Sequence, residues 1–218
     1  MARPRKSDHT KQQLLDTGTE LLINQGYHGT GIKAVLDAVG VPKGSFYNFF
    51  ASKEAFVKEI IEHYGAEEVQ AMAARVEHLS DQPALIQLWC TFAYKVQAWV
   101  SEDKACACLL GAMAAEIADA SDCCRQTIKG IEQEWVDIIQ IAIATAQQEG
   151  DIRSDINAAA IAQLLYNSWQ GALLHAQITQ NPQSLLDHFW TLLSSLITPQ
   201  GQTTFAQSSL CNRELDHE

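Results

Sequence analysis

The sequence has no stretch in which apolar and polar residues alternate for long enough to make a convincing β-strand. Between Asp8 and Ile197 apolar residues instead recur with a period of about 3.6, which is the period of a helix. Internal repeats and low-complexity segments are also lacking, and 47% of the residues are hydrophobic against 19% charged. This balance is that of a globular chain rather than a disordered or fibrous one. We therefore predict an all-α fold.

Long apolar runs are lacking as well. Residues 156–186 carry no formal charge, but amide side chains and a histidine interrupt them too often for a lipid-facing helix. The chain opens with a basic segment, Met1–Lys6, that is followed by polar residues rather than by an apolar signal sequence. We expect a cytoplasmic protein whose cysteines are thiols, because disulfides are typical of secreted chains. The six cysteines are Cys90, Cys106, Cys108, Cys123, Cys124 and Cys211.

Motifs of the common enzyme classes are missing. There is no Gly-rich phosphate loop, no nucleophile elbow and no His-Glu-x-x-His helix. A cysteine-dependent enzyme that uses Cys108 or His175 is a remote alternative. Cys106, Cys108, Cys123 and Cys124 could instead bind a metal, yet no Cys-x-x-Cys pair accompanies them. We expect no enzyme, no cofactor and no metal site.

Positive charge is scarce except near the N-terminus. Residues 1–60 contain eight Lys/Arg and six Asp/Glu, whereas the remaining 158 contain seven Lys/Arg and twenty Asp/Glu. We call the mildly basic N-terminal region the head and the acidic remainder the body. This distribution fits a protein that binds an anionic partner at one end only. The acidic body discourages unspecific adhesion to nucleic acid. The charge distribution therefore favours a protein that binds DNA through its N-terminal region.

Helix signals divide the head into three segments. The first helix is expected over about Asp8–Gln25, with Gly26 as its stop. A short helix from about Thr30 to Val39 ends at Gly40, and Pro42 suits the first turn of another short helix that ends near Phe49. Two short helices joined by a tight turn that contains glycine form a helix-turn-helix.

The body is predicted to be helical throughout. A long helix capped by Ser52 reaches about His78, and further helices follow at about 83–100, 106–119, 122–148, 155–178 and 183–197, which makes nine in all. The last helix is apolar on more than one face, so we expect a homodimer interface formed by the last two helices. Residues 199–218 are polar and patternless, and we expect them to be mobile. The predicted domains are thus 1–52 for DNA binding, 53–198 for effector binding and dimerisation, and a flexible tail over 199–218.

Several motifs of the head match a known family together. They are Thr30-Gly31-Ile32-Lys33, the run Gly40-Val41-Pro42-Lys43-Gly44-Ser45-Phe46-Tyr47-Asn48-Phe49-Phe50, and Ser52-Lys53-Glu54-Ala55-Phe56. Over about residues 8–56 the chain resembles the DNA-binding domain of TetR-family repressors. The resemblance implies a nine-helix fold, a homodimer, a palindromic double-stranded operator and release of DNA by an effector.

The resemblance also implies which residues bind DNA. A recognition helix enters the major groove by its N-terminal end, so Lys43, Gly44, Ser45 and Asn48 are candidates for contacts with bases and nearby phosphates. Tyr47 and Lys53 match positions that usually contact phosphates, and Thr30 and Lys33 match positions in the second helix that contact backbone or base edges. Arg3, Arg5 and Lys6 form a basic arm that could reach a groove. Phe46, Phe49 and Phe50 are expected in the core.

The effector is predicted less specifically. The segment from Lys104 to Glu116 resembles the NemR-like, electrophile-responsive repressors of the same family, in which the cysteine matching Cys108 is the sensor. A helix N-terminus lowers the pKa of a thiol and so favours oxidation or alkylation, and Cys106 could assist. The alternatives are inert, buried cysteines and an apolar ligand bound without a covalent bond. The residues that could line its pocket are Trp89, Trp135, Tyr166 and Trp169.

Overall fold

The computed structural model describes residues 6–101 and 108–208, and these residues form ten α-helices. The all-α fold class is confirmed. Apart from one antiparallel bridge between Ile152 and Ile197, the described residues contain no extended pairing. No described helix has the length and apolarity needed to cross a membrane. The helices are α1 (Lys6–Gly29), α2 (Ile32–Val39), α3 (Lys43–Phe46), α4 (Lys53–His78), α5 (Ala84–Ser101), α6 (Leu109–Ile117), α7 (Asp122–Gln148), α8 (Ala158–Thr179), α9 (Gln183–Ser194) and α10 (Pro199–Gln207).

The chain divides into two compact units, and their limits differ from the domain limits expected from the sequence. Within the described residues, unit 1 comprises 6–68 together with 108–132, and unit 2 comprises 69–101 together with 133–208. The helices α4 and α7 each contribute residues to both units, so no single cut at residue 52 separates them. The functional division at residue 52 stays a prediction.

Unit 1 is built around α1, which packs against α2 and α6. Leu14, Leu15 and Leu22 are buried and form the apolar face of this helix. Gly18 lies on the same face and allows close approach of α4, because a Cβ at this position would lie 2.5 Å from Phe56 Cζ. The side chains of Phe46, Phe50 and Phe56 meet with ring centroids 4.7–5.2 Å apart. These aromatic contacts hold residues 43–50, which we call the recognition segment, on the start of α4.

The end of α1 depends on a residue far away in the sequence. The helix kinks at Gly26, whose φ of 70° favours glycine, so the predicted stop at this position is confirmed. The chain then makes one more turn, to Gly29. The backbone N–H groups of Tyr27 and His28 both donate to Glu116 Oε2 on α6, at 2.8 and 3.3 Å. Glu116 thus acts as the cap of this last turn.

Unit 2 is held together by α5, α8 and α9. Contacts between α8 and α9 and between α5 and α9 dominate its packing, and α10 rests on α5. Large apolar side chains from each helix fill the interior, among them Trp89 and Phe92 on α5, Trp169 on α8 and Phe189 on α9. Phe92 stacks on Phe189 with the ring centroids 4.2 Å apart. The core is therefore rich in aromatic rings.

The expectation of a mobile tail from residue 199 is wrong for residues 199–207, because these form α10. Thr198 caps the helix by accepting from the Gly201 N–H at 3.1 Å, and Pro199 occupies its first position, where a missing N–H does no harm. Phe205 is buried against Trp89 and Trp190, with centroids 5.8 and 4.5 Å away. A single well-placed aromatic residue anchors this short polar helix, and periodicity alone cannot reveal such an anchor.

Candidate DNA-binding and effector sites

The turn between α2 and α3 has the geometry of a helix-turn-helix. Gly40 adopts the left-handed conformation with φ 74°, and its N–H and that of Val41 both donate to the Leu36 carbonyl, at 2.8 and 3.1 Å. Pro42 is the N-cap residue of α3, one position before the first turn in which the sequence placed it. The helix α3 itself is shorter than expected and ends at Phe46, because Asn48 and Phe49 bond to carbonyls three residues back instead of four.

Most of the predicted DNA-binding side chains point outward. Tyr47 is 52% exposed, and Lys33, Lys43 and Asn48 are exposed as well, whereas Ser45 is half-buried. A Cβ added at Gly44 would meet no atom within 4 Å, so the backbone at this position is open to a large partner. Behind this surface Val35, Leu36 and Phe46 are buried. The structure therefore brings Lys33, Lys43, Gly44, Ser45, Tyr47 and Asn48 together on one segment of the head.

Thr30 and Lys53 are placed differently from the other six. Thr30 is only 2% exposed, and its hydroxyl donates to the Leu21 carbonyl at 3.1 Å. Lys53 Nζ donates to the Tyr27 carbonyl at 2.6 Å and lies 4.0 Å from the centroid of the Tyr27 ring. Burial lowers the pKa of Lys53. Both side chains are directed into the head in this structure, so their predicted DNA contacts stay predictions.

The basic arm cannot be placed, since Arg3 and Arg5 lie outside the described residues. Lys6 begins α1. Phe46 and Phe50 are buried and Phe49 is half-buried, in line with their expected place in the core.

The predicted sensor thiol lies at a helix terminus. Cys108 is the N-cap residue of α6 and is half-buried, and its carbonyl accepts from the Ala112 N–H at 3.1 Å. Cys106 and Lys104 lie outside the described residues. Cys90, Cys108, Cys123 and Cys124 carry thiols rather than disulfides. Among residues 6–101 and 108–208 no group of three or more potential ligands has the arrangement of a metal site.

The four aromatic residues predicted to line a pocket are all buried in unit 2. Trp89 and Trp169 belong to one cluster, because each contacts Phe189, with ring centroids 6.2 and 5.9 Å apart. Trp135 lies instead near Lys95, whose Nζ is 5.3 Å from the indole. Tyr166 is buried on α8. In this structure they form core packing, and a ligand-binding role for them stays a prediction.

A separate apolar groove was missed from the sequence. It has a volume of about 300 Å³ and lies between the end of α4, the start of α5 and the middle of α7. Its walls combine small side chains with Ile138 and Ile141, and Glu77 and Gln87 supply its polar groups. Small alanines give no aromatic or charge signal, which is why sequence patterns do not mark such a groove.

A polar cluster at the start of α7 was also missed. Ser121 precedes the helix, and its hydroxyl donates to Glu54 Oε1 and accepts from the Cys124 N–H at 3.2 Å. The Cys123 thiol lies 3.3 Å from Ser121 Oγ and 3.5 Å from Glu54 Oε1. Burial raises the pKa of the Cys124 thiol. The Ser121-Asp122-Cys123-Cys124 run resembles a helix cap, which is the one sequence signal that could have indicated the cluster.

Comparison with known proteins gives one family for both the N-terminal and the C-terminal part of the chain. The family model described as "Bacterial regulatory proteins, tetR family" matches residues 14–60, and "Tetracyclin repressor-like, C-terminal domain" matches residues 85–193. The HTH-type transcriptional repressor DhaR from Mycobacterium sp. (strain GP1) is 31% identical over 198 residues, covering 91% of this chain and 97% of that protein. The HTH-type transcriptional repressor NemR from Escherichia coli (strain K12) is 25% identical, covering 87% and 95%.

The chain belongs to the TetR family. Solved structures agree with this fold. The reduced form of E. coli NemR superimposes with a TM-score of 0.78 at 24% identity, over 87% of this chain and 97% of that one. A TetR regulatory protein from Rhodobacter sphaeroides gives a TM-score of 0.79 at 25% identity, over 86% and 98%.

Membership of the TetR family confirms the fold and the general function predicted from the sequence. This TetR-family protein is a transcriptional repressor with an N-terminal, DNA-binding helix-turn-helix. Regulators of the family bind operator DNA and typically form dimers. The relatives are transcription regulators rather than enzymes, as expected.

Proposed function

We propose that this repressor binds a palindromic operator as a homodimer and leaves it when an effector binds or modifies the body. The observation that carries the DNA-binding part is the exposed segment of the head, where Lys33, Lys43, Tyr47 and Asn48 point outward over a buried apolar layer. Two recognition segments related by a two-fold axis read two half-sites, which accounts for the palindrome.

Each side chain of this segment has a role suited to its chemistry. Lys33, Lys43 and the Tyr47 hydroxyl contact phosphates and set the position of the head on the duplex. Ser45 and Asn48 reach base edges in the major groove, since asparagine can make two hydrogen bonds to adenine. Gly44 lets the backbone approach the DNA. Thr30 and Lys53 hold the head in shape through Leu21 and Tyr27, so we assign them a positioning role.

Salt dependence tests the phosphate contacts. Fluorescence anisotropy on DNA from the gene's own upstream region measures the dissociation constant between 50 and 200 mM salt, a range that separates phosphate contacts well. For the Lys33→Ala/Lys43→Ala variant we expect weaker binding and a salt slope reduced by about 2, or roughly one for each lost contact. The matched control is Lys129→Ala, an exposed lysine on α7. An unchanged slope in the double variant would remove both lysines from the interface.

We propose that α8 contributes more of the dimer interface than α9 does. Most apolar side chains of α9 are buried, and Trp190 contacts Phe205 of α10, so its own chain already covers much of this helix. On α8, by contrast, Leu164, Leu174 and Ile178 are 48%, 61% and 73% exposed, and their spacing places them along one face. An apolar stripe of this kind fits a second copy of the helix.

A charge in the stripe tests this interface. Leu174→Glu should shift the protein from dimer to monomer in sedimentation velocity, because two carboxylates would be buried without partners. Ile141→Glu is the matched control, since Ile141 is 68% exposed on α7 and outside the stripe. A Leu174→Glu variant that remains as dimeric as the control would place the interface elsewhere.

The effector is proposed to be either a thiol-reactive compound or an apolar small molecule. Cys108 supports the first, because it caps a helix and is partly accessible. Cys106 could assist it. Treatment with one equivalent of N-ethylmaleimide or hypochlorite, followed by anisotropy, compares the wild type with Cys108→Ser. A loss of DNA binding in the wild type that is absent or smaller in Cys108→Ser supports Cys108 as the sensor, whereas DNA binding that treatment leaves unchanged in both proteins favours a ligand bound without a covalent bond.

A further inference from the structure

The polar cluster of Glu54, Ser121, Cys123 and Cys124 combines a reactive group, a base and an accessible surface. Cys123 is exposed in the first turn of α7. Its thiol donates to Glu54 Oε1 over 3.5 Å and lies 3.3 Å from Ser121 Oγ. A nucleophile within hydrogen-bonding reach of a base is the arrangement that activates thiols in proteins. The sequence offered Cys123 and Cys124 only as possible metal ligands, and the family comparison assigns no role to this cluster.

We propose that Cys123 is a modification site for soft carbon electrophiles of the Michael-acceptor class, with Glu54 as the group that accepts the thiol proton. This site is distinct from the predicted sensor Cys108, which caps another helix. The reaction at Cys123 does not depend on the proposed function, whereas its consequence for DNA binding rests on that function.

The reaction balances without any further reagent. The electron pair on Cys123 Sγ forms a bond to the β-carbon of the unsaturated carbonyl compound, and the carbon–carbon π bond breaks toward the α-carbon. The thiol proton moves to the Glu54 carboxylate. The α-carbon then takes this proton from Glu54, directly or through a water molecule that Glu54 protonates in turn, which leaves a thioether and an unchanged carboxylate. No oxidant or reductant is needed.

Accessibility selects Cys123 among its neighbours. Cys124 is fully buried, and burial raises the pKa of its thiol, so it stays protonated and out of reach. Cys90 is equally buried, on α5. Glu54 is exposed at the start of α4, and Ser121 holds its carboxylate beside the Cys123 sulfur. The four residues thus present one accessible thiol next to one oriented base.

An adduct at Cys123 would disturb the start of α4. The new substituent occupies the space in which Ser121 and Cys123 contact Glu54. Glu54 follows Lys53, which holds the Tyr27 carbonyl at the end of α1. Loss of the Glu54 contacts therefore loosens the attachment of α4 and α7 within unit 1, where the helix-turn-helix also lies. We expect a lower midpoint of thermal unfolding and weaker binding of DNA.

The chemical part is tested by the rate of labelling at Cys123 in a Cys108→Ser background. Limiting N-ethylmaleimide at pH 7 and peptide mass spectrometry give the rate for each variant. Glu54→Gln should slow labelling by about 100-fold, at the low end of what a positioned base contributes. The direction of the change in rate distinguishes two roles of Glu54. If Glu54 acted only as a nearby negative charge, its removal would make the Cys123 thiolate easier to form and labelling would become faster. Faster or unchanged labelling would overturn the assignment.

Two controls separate the base from the charge. Asp122→Asn removes one negative charge from the same helix end, but Asp122 is paired with Arg125 rather than with Cys123. Its labelling rate should therefore stay within about twofold of the background, since the base remains in place. Cys124→Ser should also label like the background. If Asp122→Asn changed the labelling rate of Cys123 as much as Glu54→Gln does, the local charge alone would account for that rate.

The consequence for function is tested with and without DNA. Labelled Cys108→Ser protein should unfold at a lower temperature and bind the operator at least about tenfold more weakly, whereas the Cys108→Ser/Cys123→Ser variant should be unaffected by the reagent. If the untreated protein fails to bind any upstream DNA, the proposed function fails, and the labelling rate and unfolding midpoint still decide the site. If labelled protein keeps both its midpoint and its affinity, the coupling to the head is refuted.

Discussion

The close contact of α1 with α4 at Gly18 gives a quantitative prediction. In Gly18→Ala the new methyl group would lie 2.5 Å from Phe56 Cζ and 2.6 Å from Ile60 Cδ1, distances at which something must move. Phe56 cannot move easily, because its ring is packed against Phe46 and Phe50. Overpacking of a core costs about 1–3 kcal/mol, whereas replacing glycine by alanine in a helix gains up to about 1 kcal/mol. The two contacts below 3.0 Å place the cost in the upper part of its range, at about 2–3 kcal/mol, so we expect a net loss of about 1–2 kcal/mol.

A second glycine supplies the control for this prediction. Gly130 lies within α7, and a Cβ there would meet no atom within 4 Å. Gly130→Ala should therefore be stabilised by up to about 1 kcal/mol through helix propensity alone. Unfolding followed by circular dichroism would show a midpoint lower by about 2–8 °C for Gly18→Ala, from the usual 2–4 °C per kcal/mol for chains of this size. A midpoint that rises for both variants would refute the close packing of α1 on α4.

The remaining predictions concern a titration and a helix. Burial, followed by the charges of Glu54 and Cys124, raises the pKa of Tyr27 above 10.0, so its contribution to stability is present below pH 10 and is lost as the pH rises through the higher folded pKa. Absorbance titration at 295 nm should therefore lose a component that titrates above pH 10 in Tyr27→Phe, and an unchanged titration curve would contradict the assignment. Phe205→Ala should lower the free energy of unfolding by about 3–5 kcal/mol if unfolding stays cooperative, because it removes the ring that packs against Trp89 and Trp190. Limited proteolysis should then cut within α10, whereas Thr203→Ala, at an exposed position of the same helix, should leave α10 protected.

The helix-turn-helix could be predicted from the sequence because its signals are local. Gly40 provides a left-handed turn, Pro42 begins a helix, and the apolar positions repeat with the helical period, so each position can be interpreted without knowledge of the rest of the chain. The exposure of Tyr47 and Lys43 follows from the same period. The family pattern then added roles for these residues that physical arguments alone leave open.

The remaining features depend on contacts between distant residues. Lys53 resembles a phosphate-binding residue in the sequence, yet in the structure it bonds to the carbonyl of Tyr27, 26 residues earlier. The helix α10 forms because Phe205 meets two tryptophans from other helices. Trp135 was grouped with Trp89 because of its residue type, but α5 and α7 place these side chains in different surroundings. Long-range packing of this kind leaves no periodic signal.

The cap that Glu116 provides for the end of α1 has a consequence for the order of protein synthesis. The ribosome completes the recognition segment long before it adds residue 116. Until then the Tyr27 and His28 N–H groups lack their carboxylate partner, and α1 lacks the helix α6 that packs against it. A chain interrupted within α4 or α5 therefore has an incompletely capped head. We therefore expect a truncated chain without α6 to form the end of α1 less stably than the full chain does.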